Sequence, residues 1–102
     1  MNETHEALPK ATVRKLKSLA QRLDPMVKLG KAGVTDGFVA SLKTALEQQE
    51  LVKIRFDDHA DQRKVLAPEI ATKTGSQLIW IVGHVAVFFR QHPDPAKRKV
   101  QV

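Results

Sequence analysis

Between Leu29 and Val34 the chain reads Gly30-Lys31-Ala32-Gly33, two glycines with two residues between them and a lysine inside the bend. Neither glycine carries a Cβ, so the backbone there can turn sharply and approach something flat or bulky. Lys31 supplies a cation, and Lys28 stands just ahead of it. A short apolar run (Met26, Val27, Leu29) precedes the bend, and a helix is expected to start near Thr35. The free N–H groups and partial positive charge of that helix N-terminus therefore follow the loop directly. Glycine freedom, a cation and a helix start together suit a phosphate group.

The remaining chemistry-bearing residues do not assemble into a reaction centre. Ser18, Ser41 and Ser76 lack a nucleophile-elbow context. No Walker loop is present, because Gly30-Lys31 lacks the preceding glycine spacing and a following Ser or Thr. His5, His59, His84 and His92 show no metal-binding spacing, and the chain has no cysteine to assist them. Asp57-Asp58 with Asp61 reads as an acidic turn. No catalytic residue, metal or cofactor is expected.

Charge is distributed unevenly. Of 17 Lys and Arg against 11 Asp and Glu, seven bases and a single acid (Asp24) lie between Pro9 and Val34. Five bases and only Asp94 lie beyond residue 70, whereas the middle of the chain is slightly acidic. Gathering of this kind marks a polyanion binder, and the leading expectation is RNA binding. Tyrosine is absent, and Phe38, Phe56, Phe88, Phe89 and Trp80 all lie on apolar runs expected in the core. Recognition of unstructured single strands leans on exposed aromatics. Their shortage points to the backbone and shape of folded RNA.

The elements that position the loop follow from periodicity. At 102 residues one domain is expected, with residues 1–8 a loose lead, 9–91 the folded unit and 92–102 a flexible basic tail containing Lys97-Arg98-Lys99. No apolar stretch reaches the ~20 residues of a membrane helix, and neither a signal core nor a disulfide is expected, so a cytoplasmic protein is the simplest reading; a monomer is expected, although nothing in the sequence sets the oligomeric state. Pro9 can open a helix in which Val13, Leu16, Leu19, Ala20 and Leu23 form an apolar stripe, and Asp24-Pro25 ends it. Lys10, Arg14 and Lys17 form a neighbouring stripe that either meets an anion or is simply solvated.

Met26 to Leu29 reads as a strand. A second helix, capped by Thr35 or Asp36, buries Phe38, Leu42, Ala45 and Leu46. Leu51 to Phe56 alternates, with Val52, Ile54 and Phe56 inward and Lys53 and Arg55 outward. A third helix runs from Asp61 to Thr74 and stops at Gly75; Pro68 inside it predicts a kink or a split. Gln77–Val82 and Val85–Arg90 are apolar strands joined by a tight Gly83-His84 turn, and the first helix is the candidate to cover their second face. The order α-β-α-β-α-β-β gives an α/β fold, a four-stranded mixed sheet with three helices. Strands separated by helices should pair in parallel and the last two antiparallel.

These residues resemble a family. The run Lys28-Leu29-Gly30-Lys31-Ala32-Gly33-Val34-Thr35-Asp36-Gly37, with Leu42, Ala45 and Leu46, Glu50-Leu51-Val52-Lys53-Ile54, Thr74-Gly75 and Val82-Gly83-His84-Val85, is similar to the CRM domain. The single-domain bacterial YhbY-type form is the most similar, and the likeness covers roughly residues 9–91. The resemblance implies a fold similar to the C-terminal domain of initiation factor three. It also implies association with precursors of the large ribosomal subunit, and an RNA contact at Gly30, Lys31, Ala32 and Gly33. Lys28, Lys10, Arg14, Lys17, Lys53 and Arg55 complete the expected surface; Arg90 is neutral between structural and binding roles, and His84 reads first as a turn residue that hydrogen-bonds the backbone locally. A chromatin-type DNA binder would share the charge but would rely on a long basic hairpin arm, which the tight apolar hairpin disfavours. A protein-interaction module on the ribosome is the other alternative.

Overall fold

The computed structural model describes residues 8–100. Its order is α1 (Lys10–Ala20), β1 (Val27–Leu29), α2 (Asp36–Gln49), β2 (Leu51–Phe56), a 3-10 turn (Ala60–Gln62), α3 (Arg63–Thr74), β3 (Gln77–Val82) and β4 (Val85–Phe89), with a second 3-10 turn at Pro95–Lys97. The expected four-stranded mixed sheet with three helices is present, in strand order β1-β2-β4-β3.

β1 and β2 pair in parallel across α2, Val27 opposite Ile54 and Leu29 opposite Phe56. β2 and β3 also run parallel, but they do not pair as expected. β4 folds back through the hairpin and inserts between them, antiparallel to both. The reason is burial. Ala86, Val87, Phe88 and Phe89 are all buried, and a strand apolar on both faces gains most from the middle of a sheet. β3 takes the edge, where its residues are mostly half-buried.

Alternation along β2 divides the core into two layers. Val52, Ile54 and Phe56 face α2 and α3, meeting Leu42, Leu46, Ala67 and Ile70. Leu51, Val87 and Phe89 face the other way and are covered by Leu16 and Ala20 of α1, so the first helix supplies the expected second cover. A register shift between Leu78 and Trp80 turns the consecutive residues Ile79 and Trp80 both toward α1, which a regular strand cannot do.

Several details differ from what the sequence predicts. α1 ends at Ala20 rather than Leu23; the N–H groups of Arg22 and Leu23 donate to Leu19 O and Ala20 O, a tightened last turn that swings Leu23 off the stripe to 38% exposure. Pro68 does not split α3, which is continuous from Arg63 to Thr74. The break falls earlier, between the 3-10 turn and Arg63. The one bond Pro68 cannot make leaves the carbonyl of Lys64, an exposed residue near the helix start, where water can satisfy it. Trp80 is half-buried rather than core, with the Lys17 ammonium 5.5 Å from its ring centroid.

Residues 92–100, expected to be a flexible tail, are laid against the body. Glu50, buried at the end of α2 with φ 64°, accepts from the backbone N–H groups of His92 (2.6 Å), Lys99 (2.6 Å) and Val100 (2.8 Å). Burial pushes its carboxyl up, but the three donors and the nearby His92 outweigh that and hold it below the ordinary glutamate value. The part of the lead before Leu8 lies outside the described residues.

Candidate nucleic-acid interface

The glycine bend leaves the C-terminal end of β1. Gly33 N–H donates to Gly30 O (3.0 Å), closing a β-turn with Lys31 and Ala32 at its centre, and Thr35 N–H donates to Gly33 O (2.9 Å). Gly33 has φ 78° and requires glycine, whereas Gly30 has ordinary φ, and a Cβ added there would meet nothing within 4 Å. Lys31 and Ala32 are exposed. The Lys31 ammonium makes no ion pair with the described residues.

Thr35 caps α2, its hydroxyl accepting from Phe38 N–H at 3.1 Å, and Asp36 sits in the first turn. The helix start is therefore partly satisfied from within, and the bend with its lysine is the more available anion contact.

Two other turns share this end of the sheet. The Asp57-Asp58-His59 turn is tied to the bend by the N–H groups of Asp57 (3.0 Å) and Asp58 (3.2 Å), both donating to Leu29 O. His59 Nε2 lies 2.9 Å from Lys31 O. The Gly83-His84 hairpin turn joins through Phe56 N–H, which donates to His84 O at 2.7 Å. Ligands of open α/β sheets favour the same end, beyond the carboxyl ends of parallel strands.

Lys28 and Arg55 are register partners on β1 and β2, so their side chains leave the same face of the sheet. That is the α1 face, on the part that α1 leaves open. Arg55 is not free: its Nε donates to Asp57 Oδ1 at 2.6 Å. The bond raises the guanidinium above its ordinary value and lowers the Asp57 carboxyl, with Lys28 adding to the second effect. Lys53, next on the same face, donates to Leu23 O at 2.9 Å and so anchors the turn after α1.

Lys10, Arg14 and Lys17 ride on α1, which packs on β2 and β3. Helix periodicity sets them on the flank opposite Lys15 and Arg22; those two line a groove with Gln49 and Val100 at the far end of the sheet. The structure thus joins Lys28, Gly30, Lys31, Ala32, Gly33 and Arg55 into one surface, with Lys53 adjacent, and places the α1 cations on a separate element above the same face. Arg90 lies at the opposite end, with NH1 3.4 Å from Thr74 O. Sequence reading missed Asp57 and His59 as neighbours of the bend. No local pattern reports a contact made across 28 residues.

Among the described residues no cluster of His, Cys, Asp and Glu could hold a metal ion, and no helix is long and apolar enough to cross a membrane.

Comparison with known proteins agrees with this architecture. Residues 8–90 match the CRS1 / YhbY (CRM) domain model. A probable RNA-binding protein of Pseudomonas aeruginosa is 30% identical over 92 residues, covering 89% of this chain and 88% of its own length. The probable RNA-binding protein YqeI of Bacillus subtilis is 32% identical over 82 residues, covering 79% and 85%. A chloroplast CRM-domain containing factor of Arabidopsis thaliana is 33% identical over 84 residues, 81% of this chain but 8% of that longer protein. The solution structure of a Staphylococcus aureus protein superimposes with a TM-score of 0.76 at 27% identity, covering 93% of this chain and all of that one. Sequence, topology and the turns gathered at one end of the sheet agree, and the chain belongs to the CRS1/YhbY (CRM) domain family.

Proposed function

We propose that this protein is a non-catalytic RNA-binding protein that associates with large-subunit ribosomal RNA precursors and aids their assembly, with the Gly30–Gly33 bend as its principal phosphate contact. The observation that carries the reading is the bend itself: an exposed lysine with no ion pair among the described residues, on a glycine-framed turn, at the sheet end where three turns converge. Family membership and the RNA-binding relatives support the ligand class, and the resemblance to YhbY-type proteins supports the ribosomal precursor. Lys28 adds to the field beside the bend. Lys10 and Arg14 widen it from α1. Arg55, Lys53 and Lys17 contribute charge while engaged internally.

The test is Lys31→Glu. A lysine on phosphate positions RNA without reading its bases. The variant should therefore weaken binding to all folded RNAs and lower the slope of log K against log salt by about one. In cells it should co-sediment less with immature large subunits. An unchanged slope together with normal co-sedimentation would remove the bend from the interface.

A further inference from the structure

We propose that His59 is a positioning residue for the bend: it fixes the Lys31–Ala32 peptide so that the Ala32 N–H faces outward as a second donor to RNA phosphate. The inference rests on the functional reading above and concerns how that site is held.

The Lys31 carbonyl belongs to the central peptide of the Gly30–Gly33 turn. That peptide is the one whose orientation differs between the two common turn types. His59 Nε2 lies 2.9 Å from this carbonyl. A carbonyl only accepts, so the ring nitrogen facing it carries a proton and donates. The imidazole also lies along the inner side of the loop, since a Cβ placed on Gly33 would come 3.8 Å from the same nitrogen. In a trans peptide the N–H points opposite to the C=O. Holding Lys31 O inward therefore turns Ala32 N–H away from the protein. That N–H has no partner among the described residues, and Ala32 is exposed.

His59 is itself held from both sides. Its N–H donates to Asp58 Oδ1 at 2.8 Å, its carbonyl accepts from Gln62 N–H at 2.9 Å, and the preceding residues are tied to Leu29 O. It adopts φ 61°, a left-handed conformation that most side chains avoid and that here aims the ring at the loop. The strut thus spans two turns that are far apart in sequence, and its donor ends on the one peptide the loop's own hydrogen bonds leave free to rotate.

The test compares His59→Gly with His59→Gln. Glycine adopts φ 61° without strain, so the turn survives while the ring is lost; glutamine restores an amide donor. Binding to transcribed large-subunit ribosomal RNA should weaken about three- to tenfold in His59→Gly, the worth of one hydrogen bond. The salt slope should not change, and His59→Gln should recover most of the loss. In the free protein the Ala32 amide resonance should shift in the glycine variant and return toward its original position in the glutamine variant.

Wild-type affinity with an unmoved Ala32 resonance in His59→Gly would overturn the proposal, as would a glutamine variant as weak as the glycine one. A salt slope reduced as in Lys31→Glu would overturn it too, because His59 would then touch phosphate directly. Lys31→Glu measured alongside separates the two readings. If it binds normally, the bend is not the site; if it is weak while His59→Gly is normal, only the role of His59 fails.

Discussion

At the scale of single residues, the two glycines of the bend make different demands. Gly33 has φ 78°, so Gly33→Ala should cost roughly 1 kcal/mol of stability through backbone strain alone. Gly30 has no such φ, and a Cβ there meets nothing. Gly30→Ala should therefore melt at the wild-type temperature, while a methyl group on the outer face of the bend should keep RNA from approaching the backbone. Thermal melting beside an RNA titration of both variants checks this. Gly30→Ala that is stable and binds normally would mean that RNA does not approach the backbone at Gly30. The bend was legible in the sequence because glycine spacing and a lysine are local signals. Its neighbours were not: His59, which holds Lys31 O across 28 residues, read only as part of a polar turn until folding brought β1 and β2 side by side, and Asp57, although only two residues from Arg55, read as part of the same turn.

At the scale of elements, the apolar patterns carried nearly all of the sheet and helices. Alternation along Leu51–Phe56 and the stripe Phe38, Leu42, Ala45 and Leu46 are burial patterns, and burial is what they became. The insertion of β4 between β2 and β3 was hidden because a hairpin dictates only that its two strands pair, not which of them lies inside. The docked tail was hidden as well. Basic residues and prolines suggested a solvated segment, and nothing local marks Glu50 as its anchor.

Glu50→Gln should release residues 92–100, seen as faster amide exchange at His92, Lys99 and Val100. Loss of charge-assisted acceptance inside the fold should cost about 1–3 kcal/mol. The pH dependence has a definite sign. The folded carboxyl titrates below its ordinary value. Its contribution is therefore fully present above that ordinary value and is lost as pH falls through the lowered folded one. In the wild type, the tail amides should lose protection only under such acid conditions, and in Glu50→Gln that acid-dependent step should disappear.

At the scale of the whole molecule, a net charge of +6 makes some polyanion binding unavoidable; which polyanion is favoured depends on how the cations and aromatics are disposed. Phe38, Phe56, Phe88 and Phe89 are buried, and Trp80 lies beneath Lys17, so the described residues present no bare aromatic platform for stacking bases. Of the candidate cations, Lys53 and Arg55 are bonded to Leu23 O and Asp57 and Lys17 is held over the indole; Lys10, Arg14, Lys28 and Lys31 make no side-chain hydrogen bond or ion pair among the described residues, Lys28 acting on Asp57 only through its field. Four phosphate contacts correspond to a salt slope of roughly −3 to −4. Folded ribosomal RNA should bind with that slope and should outcompete both single-stranded homopolymers, which need stacking, and duplex DNA, whose grooves call for a protruding arm that the tight Gly83-His84 turn does not supply. A slope steeper than about −6 would mean that the engaged cations leave their partners to meet phosphate. Duplex DNA competing as well as folded RNA would show that the surface reads charge alone, and the gathering of three turns at one end of the sheet would then have no part in choosing the ligand.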